Sequence, residues 1–215
     1  MSDQPHMLLN SGALMKLPAR DTELVQIVDA ALAEAARRAG PLLACRVGCT
    51  PCCHGAFAIN ALDVARLRAG IAALRVENSA LAAEIEWRAR AWIAKHGPKF
   101  PGDLTTGALG RSTEEQNNFE DFANDASCPA LDPATGRCDV YAWRPMTCRV
   151  FGPPVRAAAD DGTEGLGHCE LCFIGAKPEQ IAACAMPVPH DLEAELLKEI
   201  EADFETVVAF ALLPE

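Results

Sequence analysis

The sequence predicts a mainly α protein in which helices pack around two irregular Cys-rich loop segments that converge on a metal site. Three observations carry this expectation: apolar residues recur at helical spacing in several stretches, two segments rich in Cys, Gly and Pro interrupt them, and no strand–helix alternation is visible. The 215 residues read as a single Cys-rich metal-binding domain, with a motif core over 42–175 and flanking amino- and carboxy-terminal helices.

From Asp21 to Ala39, Leu24, Val25, Ile27, Val28, Ala31, Leu32 and Ala35 form an apolar stripe, and Gly40-Pro41 stops it. Leu42 to Ile59 holds too many Cys, Gly and Pro residues for a regular element. Asn60 then caps a second helix with Asp63 at its third position and Leu62, Ala65, Leu67, Ile71 and Leu74 along one face. Asn78 or Ser79 starts a third helix, carrying Leu81, Ile85, Trp87, Trp92 and Ile93 to His96. Ser112 and Glu115 have the spacing of a capping box, which predicts a short polar helix ending near Asp125. Cys128 to Cys184 reads as irregular with brief helical pieces such as Val140 to Trp143, and Asp191 to Leu212 reads as one closing helix.

The formal charge of −11 disfavours a phosphate-tracking surface, so nucleic acid and acidic membranes are not expected partners, whereas a basic protein is compatible with it. Met1 to Asn10 lacks the basic region of a secretory signal, and no apolar run approaches the roughly 20 residues of a membrane helix. These features predict a cytoplasmic protein. In that compartment ten cysteines point to metal or redox chemistry instead of disulfides, and a chain of this length needs no such staples to build a core.

Four of the cysteines, Cys45, Cys49, Cys52 and Cys53, fall within nine residues. Cys49/Cys52 and Cys169/Cys172 have the two-residue gap that directs both sulfurs at one ion, as in zinc and iron–sulfur sites. Vicinal Cys52 and Cys53 diverge in most backbone conformations, so they are not equivalent ligands. Cys184, alone in sequence, reads as a packing residue. His54 and His168 adjoin cysteines and could donate nitrogen, while His6, His96 and His190 lie at chain or helix ends. Arg46, Arg137, Arg144 and Arg149 lie close to cysteines in sequence, where guanidinium groups would offset thiolate charge. Tyr141 and Trp143 would wall such a site from water. No general base, nucleophile or substrate pocket stands out.

Cys45-x-x-x-Cys49-x-x-Cys52-Cys53, then Cys128-Pro129-x-Leu131, then Cys138-x-x-Tyr141-x-x-Arg144-Pro145-x-x-Cys148-Arg149-x-Phe151 resembles the CxxCxxCC family of zinc- or iron-chelating proteins, which includes the flagellin lysine N-methylases. The resemblance implies a zinc or iron site, or a 4Fe–4S cluster, built from Cys45, Cys49, Cys52, Cys53, Cys128, Cys138 and Cys148, with Cys169 and Cys172 adding the later pair. It also implies a shaping role for Arg144-Pro145, which would aim Cys148 at the site.

Three other readings stay open. Cys45-x-x-x-Cys49-x-x-Cys52 has the spacing of radical S-adenosylmethionine enzymes, although Pro51 stands where those enzymes carry an aromatic residue and the βα units are missing. Cys49 and Cys52 could form a dithiol redox pair. The cysteines could also store or deliver metal ions.

Overall fold

The computed structural model describes residues 15–158 and 164–214; His6 and the amino-terminal stretch on which the expectation of no secretory signal rests lie outside them. Helices dominate, as the apolar periodicity predicts. Helix α1 (Asp21–Ala39) stops at Gly40, whose φ of 50° only glycine adopts readily, and Pro41 prevents its continuation. Leu24, Val28 and Ala35 are buried along its inner face, while Ile27 is exposed. The next regular piece is the two-residue strand β1 (Ile59–Asn60), after which α2 (Ala61–Glu77) begins. Asn60 caps α2 as expected, its Oδ1 accepting from the Asp63 amide at 3.0 Å. Asn78 separates α2 from α3 (Ser79–His96) and caps the latter by accepting from Leu81 N at 3.1 Å. Ile85 and Trp92 of α3 are buried, but Trp87 points to solvent.

A hairpin of β2 (Gly102–Asp103) and β3 (Ala108–Leu109) precedes α4 (Thr113–Glu120), where the Ser112/Glu115 capping box is formed. Helix α4 ends at Glu120, before the expected Asp125. The second irregular segment holds the hairpin β4 (Leu131–Asp132) and β5 (Arg137–Cys138), the short helix α5 (Met146–Val150), the hairpin β6 (Val155–Ala158) and β7 (Glu164–Gly167), and α6 (Pro178–Ala183).

The closing helix is shorter than predicted. Helix α7 (His190–Glu199) ends where Glu201 takes a positive φ of 52°, and the chain then forms β8 (Glu205–Thr206) and α8 (Val208–Ala211). Strand β8 pairs antiparallel with β1, setting Ile59 opposite Thr206. The apolar residues Val207, Val208 and Leu212 therefore reach the core from a separate turn and do not prolong the α7 stripe. Helices α2, α3 and α8 enclose the largest core cluster, around Leu67, Ile71, Ile85 and Leu212. A second joins α1 to α2, α5 and α7 through Leu24, Leu62, Met146 and Leu196.

Candidate thiol site

The first cysteine segment is two tight turns. Gly48, at φ 85°, lets Cys49 N bond back to Arg46 O at 2.9 Å, and Pro51 opens a 3-10 turn over Pro51–Cys53. The chain then docks, strand-like, on residues 126–128: Cys128 N donates to Cys53 O at 2.7 Å, Gly55 N to Ala126 O at 2.9 Å, and His54 bridges Ser127. This pairing sets Cys53 beside Cys128. The β4–β5 hairpin brings Cys138 opposite Leu131, and α5 supplies Cys148.

Residues 42–45 are held elsewhere. Phe173 N donates to Leu42 O at 2.7 Å, Ala44 N to Cys172 Sγ at 3.4 Å, and Cys169 N to Gly152 O at 3.3 Å. Gly152 touches the Cys45 sulfur so closely that a Cβ there would stand 2.7 Å from it. The thiols therefore fall into two groups. Cys45, Cys49, Cys169 and Cys172 form one, in which Cys45 hydrogen-bonds Cys172. Cys52, Cys53, Cys128, Cys138 and Cys148 form the other, in which Cys53 hydrogen-bonds Cys52. Cys184 is buried in an apolar cluster with Ala39 and Phe173.

This arrangement corrects the expectation of convergence on a metal site. Among the described residues no three Cys, His, Asp or Glu side chains are placed to hold a metal ion. The sulfurs pair through S–H···S bonds within separate groups and do not gather round a common point. Zinc, iron or a 4Fe–4S cluster as cofactor, a metal ion or cluster as partner, and metal binding, storage or delivery as function are overturned on that geometry. The dithiol reading of Cys49/Cys52 finds no support, since the sulfur that hydrogen-bonds Cys52 is that of Cys53. The radical S-adenosylmethionine reading fails because the sheets of the described residues are two-stranded antiparallel hairpins and ladders, with no βα repeat.

The thiols whose acidity departs from the ordinary value move in one direction, with one exception. Cys45 is exposed as a residue, yet partial desolvation of its sulfur and the neighbouring Cys172 and Cys49 sulfurs push it up to about 12. Burial likewise raises Cys128 to about 12, and raises Cys138, Cys148 and Cys169. Cys52 moves the other way, to about 6, because the Cys53 S–H donates to its sulfur and so favours the thiolate; the same bond holds the proton on Cys53. The pair thus sheds one proton near neutrality and keeps the second.

Neighbouring polar residues take roles the sequence did not assign. Arg144 and Arg149 are buried and share Asp29, with Arg149 Nη1 2.8 Å from both of its oxygens. Arg46 is exposed and donates to Ala44 O. His54 Nδ1 lies 3.3 Å from Ser127 Oγ, and His168 Nδ1 lies 3.0 Å from Cys169 O. Trp143 packs into the main core, whereas Tyr141 is exposed beneath the Arg144 guanidinium, 4.0 Å from its ring centre. Asp29 was not singled out by the sequence, and Asp63 only as the third residue of the helix that Asn60 caps. The available signal for Asp29 was its register with Val25 and Leu32, which places a carboxylate inside the apolar stripe of α1.

No helix of the described residues is long and apolar enough to cross a membrane. No curated protein and no solved structure matches the chain. Residues 44–172, more than half of the sequence, match the CxxCxxCC family, described as "Putative zinc- or iron-chelating domain", and the match does not extend to the flagellin lysine N-methylase subgroup. The segment begins and ends beside the first thiol group and spans the second, so the chain belongs to the CxxCxxCC family through the residues that build both.

Proposed function

We propose that the protein acts as a thiolate nucleophile, with Cys52 attacking the sulfur of a low-molecular-weight disulfide. The Cys52 thiolate displaces one half of the disulfide, forming a mixed disulfide at Cys52 and releasing the other half as a thiolate, which takes its proton from solvent. One cysteine of the chain is oxidised and one leaving thiol is reduced, so the step needs no second cysteine. The carrying observation is that Cys52 alone among the thiols with shifted acidity is made more acidic, by the Cys53 hydrogen bond, while it remains partly accessible. Cys45, Cys53, Cys128, Cys138, Cys148 and Cys169 surround it or stand apart as protonated thiols. Cys49 and Cys172 complete the separate group.

Native protein treated with iodoacetamide between pH 5 and pH 9, then digested and mapped by mass, tests this. Cys52 is expected to label first, with a midpoint near pH 6. At pH 6 its rate should exceed that of a cysteine peptide by about tenfold, the gain in thiolate fraction being partly offset by lower intrinsic nucleophilicity. Oxidised glutathione should add one adduct, at Cys52. Labelling led by another cysteine, or a midpoint above about pH 8, the range of an ordinary thiol, would refute the reading.

A further inference from the structure

Helix α3 buries one side and leaves the other bare. Its inward side chains, Ala82, Ile85, Ala89 and Trp92, recur at helical spacing and are buried. At about 100° per residue Trp87 stands directly opposite them, and it is 65% exposed. Glu84, Ala91, Ala94 and Lys95 share that outer side, and all are exposed. Tryptophan is among the residue types most enriched at the energetic centres of protein interfaces. The charges beside it follow one order. Glu84 and Lys95 lie about three turns apart on one flank, and neither side chain has an ion-pair or hydrogen-bond partner among the described residues. On the other flank Glu86 precedes Arg90, to which it is bonded at 3.3 Å. Each flank therefore runs from acid to base along the helix.

We propose that the outer side of α3 is the contact surface of a homodimer, on which α3 of a second copy lies antiparallel. A two-fold axis across such a pair sets each flank against the same flank of the second copy, reversed in direction. Acid then faces base: Glu84 meets Lys95 of the second copy, and Lys95 meets its Glu84. A parallel pair would instead bring Glu84 beside Glu86 of the second copy. With Glu84 opposite Lys95 the axis passes between Ala89 and Arg90, so Trp87 falls on Ala91 and Ala94 of the second copy and not on its own counterpart. Helical side chains lean toward the amino terminus, which carries the indole toward Ala94, where a methyl group leaves room for the ring. Arg90 lies nearest the axis and brings its own counter-charge in Glu86.

Sedimentation equilibrium of the full chain from about 1 μM to 1 mM reads the association directly. Reductant in the buffer excludes intermolecular disulfides among the ten cysteines. The unaltered chain should reach a dimer with a micromolar dissociation constant. Trp87→Lys should weaken it at least about thirtyfold, as loss of a central tryptophan does. Glu84→Lys and Lys95→Glu should each weaken it about tenfold, because like charges then face each other twice, and the double variant Glu84→Lys/Lys95→Glu should recover the original constant. All three positions are exposed, so helix content by circular dichroism should not change. If Trp87→Lys loses helix content, the charge exchange alone decides. A chain monomeric throughout the range overturns the proposal. So does a dimer indifferent to Trp87→Lys, or a double variant no tighter than the two single ones, since either means a different face or register.

Discussion

Gly70 of α2 lies flat against the indole of Trp143, where a Cβ would stand 2.5 Å from Cγ and 2.6 Å from Cδ2. A glycine in the middle of a helix costs up to about 1 kcal/mol relative to alanine, so its presence there marks a close approach. The contact seats the 3-10 turn Tyr141–Trp143 on α2, immediately before Arg144 and α5.

Gly70→Ala is therefore expected to destabilise the protein despite the gain in helix propensity. The inner atoms of Trp143 cannot swing away as the tip of a flexible chain would, and overpacking of this kind costs about 1–3 kcal/mol. Thermal melting should show a lower midpoint, and a rise would mean that the indole retreats freely.

The Cys53 hydrogen bond sets the acidity of Cys52, which makes Cys53→Ala and Cys53→Ser an informative pair. Without a donor, the Cys52 alkylation midpoint should climb from about 6 toward the ordinary thiol range near 8.5. Serine supplies an O–H in place of S–H, so its midpoint should stay low. Identical midpoints in the two variants would remove Cys53 from the account.

Burial raises Asp63 to about 6, against the pull of the Arg66 charge and the Met146 amide, while an unfolded carboxyl titrates near 3.8. Between these values the native protein binds the extra proton, so this contribution to stability is full below about pH 4 and disappears as pH rises through 6. The difference corresponds to about 3 kcal/mol at 1.36 kcal/mol per unit. Asp63→Asn cannot titrate, so urea unfolding should show this variant gaining on the parent between pH 4 and pH 7. A stability difference that does not change with pH would contradict the raised value.

Gly152 has a φ of 124° and leaves no room for a Cβ beside the Cys45 sulfur. Gly152→Ala should strain the backbone and push Cys45 out of its bond with Cys172, lowering stability by about 1–3 kcal/mol. Native labelling of Cys45 should rise several-fold with Cys52 unaffected. Faster labelling of both would show that the two thiol groups are not independent.

Local physics wrote much of this architecture plainly into the chain. Gly40-Pro41 ends α1, the Asn60 amide caps α2, and Ser112 with Glu115 starts α4, because each depends on residues within one turn. The same locality made Cys49-x-x-Cys52 look like one pair, since spacing shows which sulfurs can meet and says nothing of which way a turn sends them. Pro51 and the docking of Cys53 on Cys128 divide the four early cysteines between two groups, and those are contacts across some 75 residues of chain. The break in the closing helix was hidden likewise: the apolar stripe runs on past Glu201, and only pairing of β8 with β1 decides that the chain turns there. Asp29 and Asp63 read as ordinary helical acids until Arg149 and the Met146 amide arrive from 120 and 83 residues away. Composition and periodicity thus determined the helices and the supply of thiols. Tertiary packing decided which thiols face one another and which one loses its proton, because acidity follows burial and hydrogen-bond partners that no short window of sequence contains.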